Sequence, residues 1–250
     1  MKKVFVISLV LAFGFFSCNV LKKSKALKKE VELIKISTPK GDMVIWLYDK
    51  TPVHKANFLK LTKEGFYNGI TFHRVMNQFM IQGGDPNTKD STKTNKIGEG
   101  GPGYTVPAEF HKELHHKKGV LSAARQPDNV NPKRASSGSQ FYIVQGKKRS
   151  DNELLHYTSG IRRATKNNEF EFSDSAKIDY KEIGGTPNLD MQYTVFGEVI
   201  YGLNVVDSIA SVKVNPMLNH RPLENVKMEV TVLKMTLKKL KNKYNFEPKH

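Results

Sequence analysis

The sequence predicts a mainly β fold: a closed, mostly antiparallel β-barrel with two capping α-helices. Short segments rich in aromatic and β-branched residues recur between turn residues, which is the pattern of a many-stranded sheet. Two other segments carry apolar residues at helical spacing. Roughly 220 residues follow an N-terminal apolar run, and a barrel of that length can form one domain.

The predicted elements follow one another along the chain as strands interrupted by two helices. A hairpin is predicted from residues 31–37 and 43–48, which turn about Gly41. A helix then begins after Thr51 as N-cap, carries an apolar stripe that includes Val53 and Leu61, and stops at Gly65. Further strands are predicted at residues 71–75, 119–124, 139–144 and 226–237, with a second helix at 203–210.

The N-terminus, residues 1–17, has the pattern of a secretory signal peptide. Lys2 and Lys3 precede an apolar run that is too short to span a bilayer as a helix. The single cysteine, Cys18, ends this run in the sequence FFSC, which resembles the lipobox of bacterial lipoproteins, although Phe16 departs from the commonest pattern. We expect a lipid on Cys18, a tether over residues 18–30, and a barrel that faces the periplasm from the bacterial cell envelope. The alternative is an inert thiol that is removed with the signal.

The chain is strongly basic, with 40 Lys and Arg against 24 Asp and Glu. Cleavage after residue 17 would remove Lys2 and Lys3 and leave a formal charge of +14. The lysines cluster at the two ends of the chain and not among aromatic residues, so the charge favours a solvated, membrane-proximal surface over nucleic acid. The basic tail at residues 238–250 is expected to have no regular structure.

Residues 65–85, GFYNGITFHRVMNQFMIQGGD, form the most informative segment of the chain. Period-two alternation places Phe72 and Arg74 on one face of a strand, and Met80 and Gln82 on one face of the next. If the two strands are neighbours, a guanidinium lies beside an amide and an apolar floor. Composition alone leaves open the alternative that Arg74 is a solvated surface charge and that the apolar residues are core.

The sequence FHRV followed by FMIQGGD resembles the signature of cyclophilins, the barrel-shaped peptidyl-prolyl cis-trans isomerases. The resemblance continues in the same order through ANFLKLTKEGFYNG, KKGVLSAAR, SSGSQFYIV and LDMQYTVFGEV. It implies an eight-stranded barrel over residues 31–237 and an enzyme, without cofactor, that accelerates X-Pro bond rotation in unfolded or envelope proteins. Its expected partners are proline-containing peptides and unfolded proteins.

The resemblance also implies roles for individual residues. It assigns catalysis to Arg74 and Gln82. It assigns substrate binding to Phe79, Met80, Ala124, Arg125, Gln140, Tyr142, Leu189 and Tyr193. In this assignment the edge at residues 124–125 grips the peptide through backbone groups, Gln140 hydrogen-bonds it, and Tyr142 is among the residues that wall the proline pocket.

Two positions depart from the commoner cyclophilin pattern. Asn188 stands where many cyclophilins have a tryptophan, and Tyr193 stands where they have a histidine, so strong cyclosporin binding stays open. Two other functions stay open: a peptide-binding chaperone or envelope scaffold with incidental isomerase activity, and an envelope adaptor for an acidic partner. We expect a monomer.

Two further motifs are set aside. Residues 98–103, GEGGPG, match the dinucleotide fingerprint literally, but Pro102 lies inside the match and no amphipathic helix follows, so we predict a turn-rich loop. His111, His115 and His116 lack a firm metal spacing, and by the cyclophilin resemblance they lie exposed on a loop. No metal site is predicted.

A long polar segment, residues 147–187, interrupts the resemblance where cyclophilins usually have a short loop. Residues 152–163 could form a helix, and residues 170–183 a mixture of turn and helix. Both ends of this insertion border strands that supply pocket residues, so it is predicted to modulate substrate access. The alternative is a passive surface excursion.

Overall fold

The computed structural model describes residues 28–248. The predicted signal peptide, Cys18 and most of the tether lie outside the described residues. The described chain divides into two compact units, residues 33–232 and a smaller unit formed by the flanking residues 28–32 and 233–248.

The main sheet has eight strands. In chain order, the strands of the structure are β1 (Glu30–Thr38), β2 (Gly41–Leu47), β3 (Arg74–Met76), β4 (Met80–Gly83), β5 (Thr105–Val106), β6 (Val120–Ala123), β7 (Ser136–Ser137), β8 (Phe141–Val144), β9 (Val195–Tyr201), β10 (Val214–Asn215), β11 (Arg221–Pro222) and β12 (Glu229–Thr236). The order in the main sheet is β12-β1-β2-β9-β6-β8-β4-β3, while β5–β7 and β10–β11 form two small ribbons. The pairings from β1 to β3 along this order are all antiparallel.

Backbone hydrogen bonds join the two edges of this sheet. Phe72 N donates to Val226 O at 3.0 Å, and Met228 N donates to Ile70 O at 2.8 Å. These bonds connect the segment before β3 with the segment before β12, so the sheet curls into a barrel. The predicted eight-stranded antiparallel barrel is confirmed.

Alternation along β8 separates two apolar clusters. Phe141 and Ile143 point into the barrel interior, which includes Phe58 and Tyr67, two rings stacked 4.7 Å apart. Tyr142 and Val144 belong to a second cluster on the opposite face of the sheet. The period of two in a strand therefore places Tyr142 outside the barrel core.

The two predicted capping helices are present as α1 (Pro52–Lys63) and, later in the chain, Leu203–Ala210. Thr51 occupies the N-cap position of α1, but its side chain does not cap the helix. The carboxylate of Glu109 instead accepts hydrogen bonds from Val53 N at 3.2 Å and His54 N at 3.0 Å. Val53, predicted within the apolar stripe, is 48% exposed, and the buried face of α1 is formed by His54, Phe58, Leu61 and Thr62.

The insertion contains two helices, α2 (Asp151–Thr165) and α3 (Asp174–Glu182), which confirms the helix expected at residues 152–163. Ser150 and Glu153 form a capping box at the start of α2. The helices share a small apolar core of their own: Leu154, Ile161, Phe170, Phe172, Ala176 and Tyr180. The ends of the insertion meet where Gly185 N donates to Lys147 O at 3.0 Å.

The remaining helices are α4 (Leu203–Ala210) and α5 (Leu237–Tyr244). The expectation of an irregular tail was wrong for α5, which lies in the smaller unit. Thr236 caps it by accepting a hydrogen bond from Lys239 N at 3.2 Å, and Leu240 on its apolar face is fully buried. Among residues 28–248, no helix is long and apolar enough to cross a membrane.

Candidate active site

The β3–β4 hairpin places Arg74 directly opposite Gln82. The hairpin turns where Phe79 N donates to Met76 O at 3.1 Å. Arg74 Nη1 lies 3.4 Å from Gln82 Oε1, and Nη2 lies 3.1 Å from Met76 Sδ. Arg74 Nε is buried and has no hydrogen-bond partner among the described residues. The predicted meeting of guanidinium and amide is therefore present, and the guanidinium keeps unused donors.

Phe72 does not share a face with Arg74, so that prediction was wrong. Phe72 packs in the barrel interior with Val75 and Ile81, whereas Arg74 lies on the face of Gln82. The reason is that regular strand geometry begins only at Arg74, and strict alternation does not apply to the residues before it.

A chain of side-chain amides continues from Gln82 to the glycine-rich loop. Gln82 Nε2 donates to Gln140 Oε1 at 3.1 Å, and Gln140 Nε2 donates to Gly98 O at 2.9 Å and Gly100 O at 2.8 Å. Because carbonyl oxygens only accept, they fix the Gln140 amide with its oxygen toward Gln82. Gln82 must then donate to Gln140 and present its own oxygen to Arg74.

An apolar floor lies beside this polar chain. The second cluster contains Met80, Val120, Tyr142, Val144 and Val195, with Phe79, Ala124, Leu189 and Tyr193 packed against it. The Arg74 guanidinium carbon lies 6.0 Å from the centroid of the Phe79 ring. The rings of Tyr142 and Tyr193 meet edge to face at 6.0 Å. The predicted pocket residues are thus brought together in one place.

Arg125 and Ala124 make contacts and hydrogen bonds within the protein. The Arg125 guanidinium carbon lies 4.5 Å over the Tyr193 ring, and Arg125 Nε donates to Gln192 O at 2.8 Å. Ala124 N donates to Gln140 O at 3.0 Å, so this backbone donor is already occupied. Arg125 therefore holds Tyr193, one wall of the apolar floor, in place.

Burial shifts the pKa of two site residues. It lowers the pKa of the Arg74 guanidinium, an effect that Tyr193 opposes, but an arginine stays protonated at any ordinary pH. Burial also raises the pKa of the Tyr142 hydroxyl well above its usual value. Arg74 is therefore a charged donor and Tyr142 a neutral phenol.

A groove of about 690 Å³ adjoins the amide chain. Gln82 and Gln140 line one part of it, Ala124 and Arg125 another, and the loop from Gly98 to Thr105 a third. The groove is open to solvent and is lined by Gln82, the hydrogen-bond partner of Arg74, so an extended peptide could lie across it.

The family model for the cyclophilin type peptidyl-prolyl cis-trans isomerases matches residues 33–232. The chain belongs to this family. It is therefore an enzyme that accelerates the cis-trans isomerisation of peptidyl-prolyl bonds.

Curated relatives of this cyclophilin include two staphylococcal proteins assigned as peptidyl-prolyl cis-trans isomerases. The protein of Staphylococcus saprophyticus is 37% identical over 201 residues, which is 80% of this chain and 90% of the relative. That of Staphylococcus aureus strain COL is 39% identical over 208 residues, which is 81% of this chain and 94% of the relative.

Solved structures show the same fold. A cyclophilin type isomerase from Cryptosporidium parvum has a TM-score of 0.57 and 23% identity, over 81% of this chain and 97% of the other. A second structure of that protein, in the presence of the dipeptide Ala-Pro, has a TM-score of 0.56 over 80% and 98% of the two chains, also at 23% identity.

Sequence reasoning missed several residues around the site of this cyclophilin. The carbonyls of Gly98 and Gly100 orient Gln140, although the loop was predicted only as a turn-rich segment. His116, expected to be exposed, is completely buried because Asp190 and Tyr142 provide its hydrogen bonds. Nothing in the local pattern around His116 predicts these long-range partners. Within residues 28–248, no group of three or more His, Cys, Asp or Glu side chains is placed to hold a metal ion.

Proposed function

We propose that Arg74 is the catalytic donor of this isomerase and that Gln82 holds its guanidinium in place. When the C–N bond of an X-Pro peptide twists, resonance is lost and the prolyl nitrogen regains a lone pair that accepts a hydrogen bond. The single observation that carries this role is the half-buried Arg74 guanidinium, which keeps donors that no described residue uses. No proton is transferred, since arginine keeps its charge.

The energetics require more than this one hydrogen bond. The barrier to rotation is about 18 to 20 kcal/mol, and uncatalysed X-Pro bonds interconvert in tens to hundreds of seconds. Turnover in milliseconds requires the barrier to fall by roughly 6 kcal/mol. A charged hydrogen bond contributes about 1.5 to 3 kcal/mol. We assign the remainder to the apolar floor, where Phe79, Met80, Tyr142 and Leu189 hold the twisted ring and exclude water.

We further propose that the substrates are extended proline-containing segments of unfolded proteins. Support comes from the open groove that Gln82 and Gln140 line, and from the Cryptosporidium cyclophilin, one structure of which was solved in the presence of the dipeptide Ala-Pro. Extended segments fit because a proline within a folded domain seldom has a backbone free to enter a groove.

Kinetics of Arg74→Ala on an Ala-Pro peptide test the catalytic role. A bond made only in the transition state lowers kcat and kcat/KM together, by roughly 10- to 200-fold for about 1.5 to 3 kcal/mol. Arg74→Lys should rescue little, because a lysine lacks the planar fork that Gln82 orients. Arg163→Ala, which removes an exposed charge from α2, is the matched control. Wild-type kcat in folded Arg74→Ala would rule out the proposed role.

The location in the cell envelope stays a proposal as well. It is supported by the lone cysteine at the end of an apolar N-terminal run. Labelled fatty acid should enter the wild-type protein in bacteria but not Cys18→Ser, and stable anchoring requires more than one acyl chain. Equal labelling of the two proteins would rule out the anchor.

A further inference from the structure

A continuous chain of buried hydrogen bonds joins one wall of the site to the insertion. His116 Nε2 lies 3.0 Å from Tyr142 Oη, and His116 Nδ1 lies 2.7 Å from Asp190 Oδ1. His116 N donates to the same carboxylate oxygen at 2.8 Å, and the Tyr180 hydroxyl donates to Asp190 Oδ2 at 2.7 Å. None of these four residues is more than 4% exposed.

The donors and acceptors of this chain are complementary. Burial raises the pKa of the Tyr142 and Tyr180 hydroxyls well above the usual tyrosine value, so both keep their protons. Asp190 accepts three hydrogen bonds, one of them from His116 Nδ1–H. In the tautomer with the proton on Nδ1 alone, Nε2 is an acceptor for the Tyr142 hydroxyl. Every link of the chain is therefore satisfied.

One end of this hydrogen-bond chain, Tyr142, is part of the apolar floor of the site. The His116 and Tyr142 rings are almost parallel, at 14° and 6.1 Å, and Tyr142 packs in the cluster that contains Met80. Asp190 directly follows the short 3₁₀ helix Pro187–Leu189, so it also holds the backbone that carries Leu189. Asp190 therefore helps to hold two walls of the pocket: Tyr142, through His116, and Leu189.

The other end of the hydrogen-bond chain, Tyr180, lies in the insertion. Tyr180 belongs to α3 and is completely buried in the core that α2 and α3 share. Its ring packs so closely on Gly185 that a Cβ there would lie 2.6 Å from Tyr180 Cε1. The next residue, Thr186, donates from its backbone N–H to His116 O at 2.9 Å. The closing point of the insertion is therefore fixed to two members of the hydrogen-bond chain, Tyr180 and His116.

We propose that His116 and Asp190 are positioning residues for the proline pocket, and that Tyr180 makes the shape of this pocket depend on the folded insertion. The inference rests on the proposed function, in which Tyr142 and Leu189 wall the pocket. Packing alone leaves an aromatic ring some freedom to tilt, whereas a hydrogen bond at its far end fixes the tilt. Because the Tyr180 hydroxyl touches no reacting atom in this proposal, its loss should change mainly KM.

Kinetics of Tyr180→Phe, Tyr142→Phe and the double variant test this chain. Each single change removes one hydroxyl and keeps the packed ring. We expect kcat/KM to fall roughly three- to tenfold in each, mostly through KM, as the loss of one neutral hydrogen bond gives. Since both hydroxyls act through the same ring, the loss in the double variant should be smaller than the product of the two single losses. The NMR resonances of the Tyr142 ring should shift in Tyr180→Phe.

Tyr67→Phe is the matched control, because it removes a buried hydroxyl that has no hydrogen-bond partner in the described structure. It should leave kcat, KM and the Tyr142 resonances at wild-type values. All variants are measured well below their melting temperatures, so that loss of folded protein does not enter the kinetics. Wild-type KM and unmoved Tyr142 resonances in Tyr180→Phe, or losses that multiply in the double variant, would overturn the inference. Arg74→Ala reports separately on the proposed function.

Discussion

Gln82 Nε2 donates to Gln140 Oε1 across 3.1 Å, and this one bond ties the position of Arg74 to a loop elsewhere in the chain. The carbonyls of Gly98 and Gly100 hold both hydrogens of the Gln140 amide. The orientation of each amide is thus set by the next, and the guanidinium is held by groups that are already in place before substrate binds. Such preorganisation lowers the cost of reaching the transition state.

Replacing Gln140 by glutamate tests the direction in which hydrogen bonds are donated along this chain of amides. In Gln140→Glu the side chain keeps its shape and can still accept from Gln82, but it has no N–H for the two loop carbonyls. Loss of these bonds should lower kcat/KM about tenfold. Gln140→Met, of similar size and without polar atoms, should be equally impaired. Wild-type kcat/KM in Gln140→Glu would show that the loop does not orient the catalytic pair.

Gly100 is predicted to be irreplaceable for a steric reason. A Cβ at this position would lie 2.1 Å from Asp85 Oδ1 and 2.9 Å from Asn87 Nδ2, so the loop would have to shift and carry its carbonyl away from Gln140. Gly100→Ala should lower the free energy of unfolding by about 1 to 3 kcal/mol and also lower kcat/KM. Gly101→Ala is the control, since the nearest atom to its Cβ would be 3.9 Å away. The steric argument would be contradicted by equal denaturation midpoints for the two variants.

The sequence predicts those parts of the site that depend on local alternation. Arg74 and Gln82 are eight residues apart on neighbouring strands, so a hairpin brings them together without knowledge of the rest of the fold. Tyr142 alternates with Phe141 and Ile143 in the same way.

Features that depend on partners far away in the sequence could not be predicted from local alternation. Glu109 caps α1 from more than 50 residues away, and this replaces the local cap that Thr51 was predicted to supply. His116 is buried because Asp190, 74 residues later, hydrogen-bonds its ring and so offsets the free-energy cost of removing that ring from water. The pairing of such residues is decided by the closed barrel and not by their neighbours in sequence.

Glu109 is predicted to stabilise the start of α1. Its carboxylate accepts from Val53 N, His54 N and, at 2.6 Å, His54 Nδ1. Glu109→Ala should therefore lower the free energy of unfolding by about 1 to 2 kcal/mol, the usual cost of losing an N-cap. Glu113→Ala is the control, because Glu113 is exposed and pairs with Lys50 on the surface. Equal denaturation midpoints for the two variants would contradict the capping role.

His73 is predicted to make stability fall in mildly acidic solution. Burial lowers its pKa to about 4, and the charges of Arg74 and Arg221 act in the same direction while Asp85 opposes them. The ordinary pKa of an unfolded histidine is about 6.5. Between these two values the unfolded chain binds a proton that the folded chain does not. Above pH 6.5, His73 should therefore not lower the free energy of unfolding. As the pH falls from 6.5 to 4, protonation of His73 in the unfolded chain should lower the free energy of unfolding by roughly 3 kcal/mol.

Denaturant unfolding of His73→Gln, measured from pH 7 to 4, isolates this contribution. His54, whose pKa is also lowered by burial, and acidic groups add to the slope in both proteins, so the difference between wild type and variant is the quantity to follow. The slope should be shallower in His73→Gln, because glutamine takes up no proton when the chain unfolds. His156→Gln, at an exposed position on α2, is the control substitution. If His73→Gln loses stability with pH as steeply as the wild type, the buried neutral imidazole is not the group that responds.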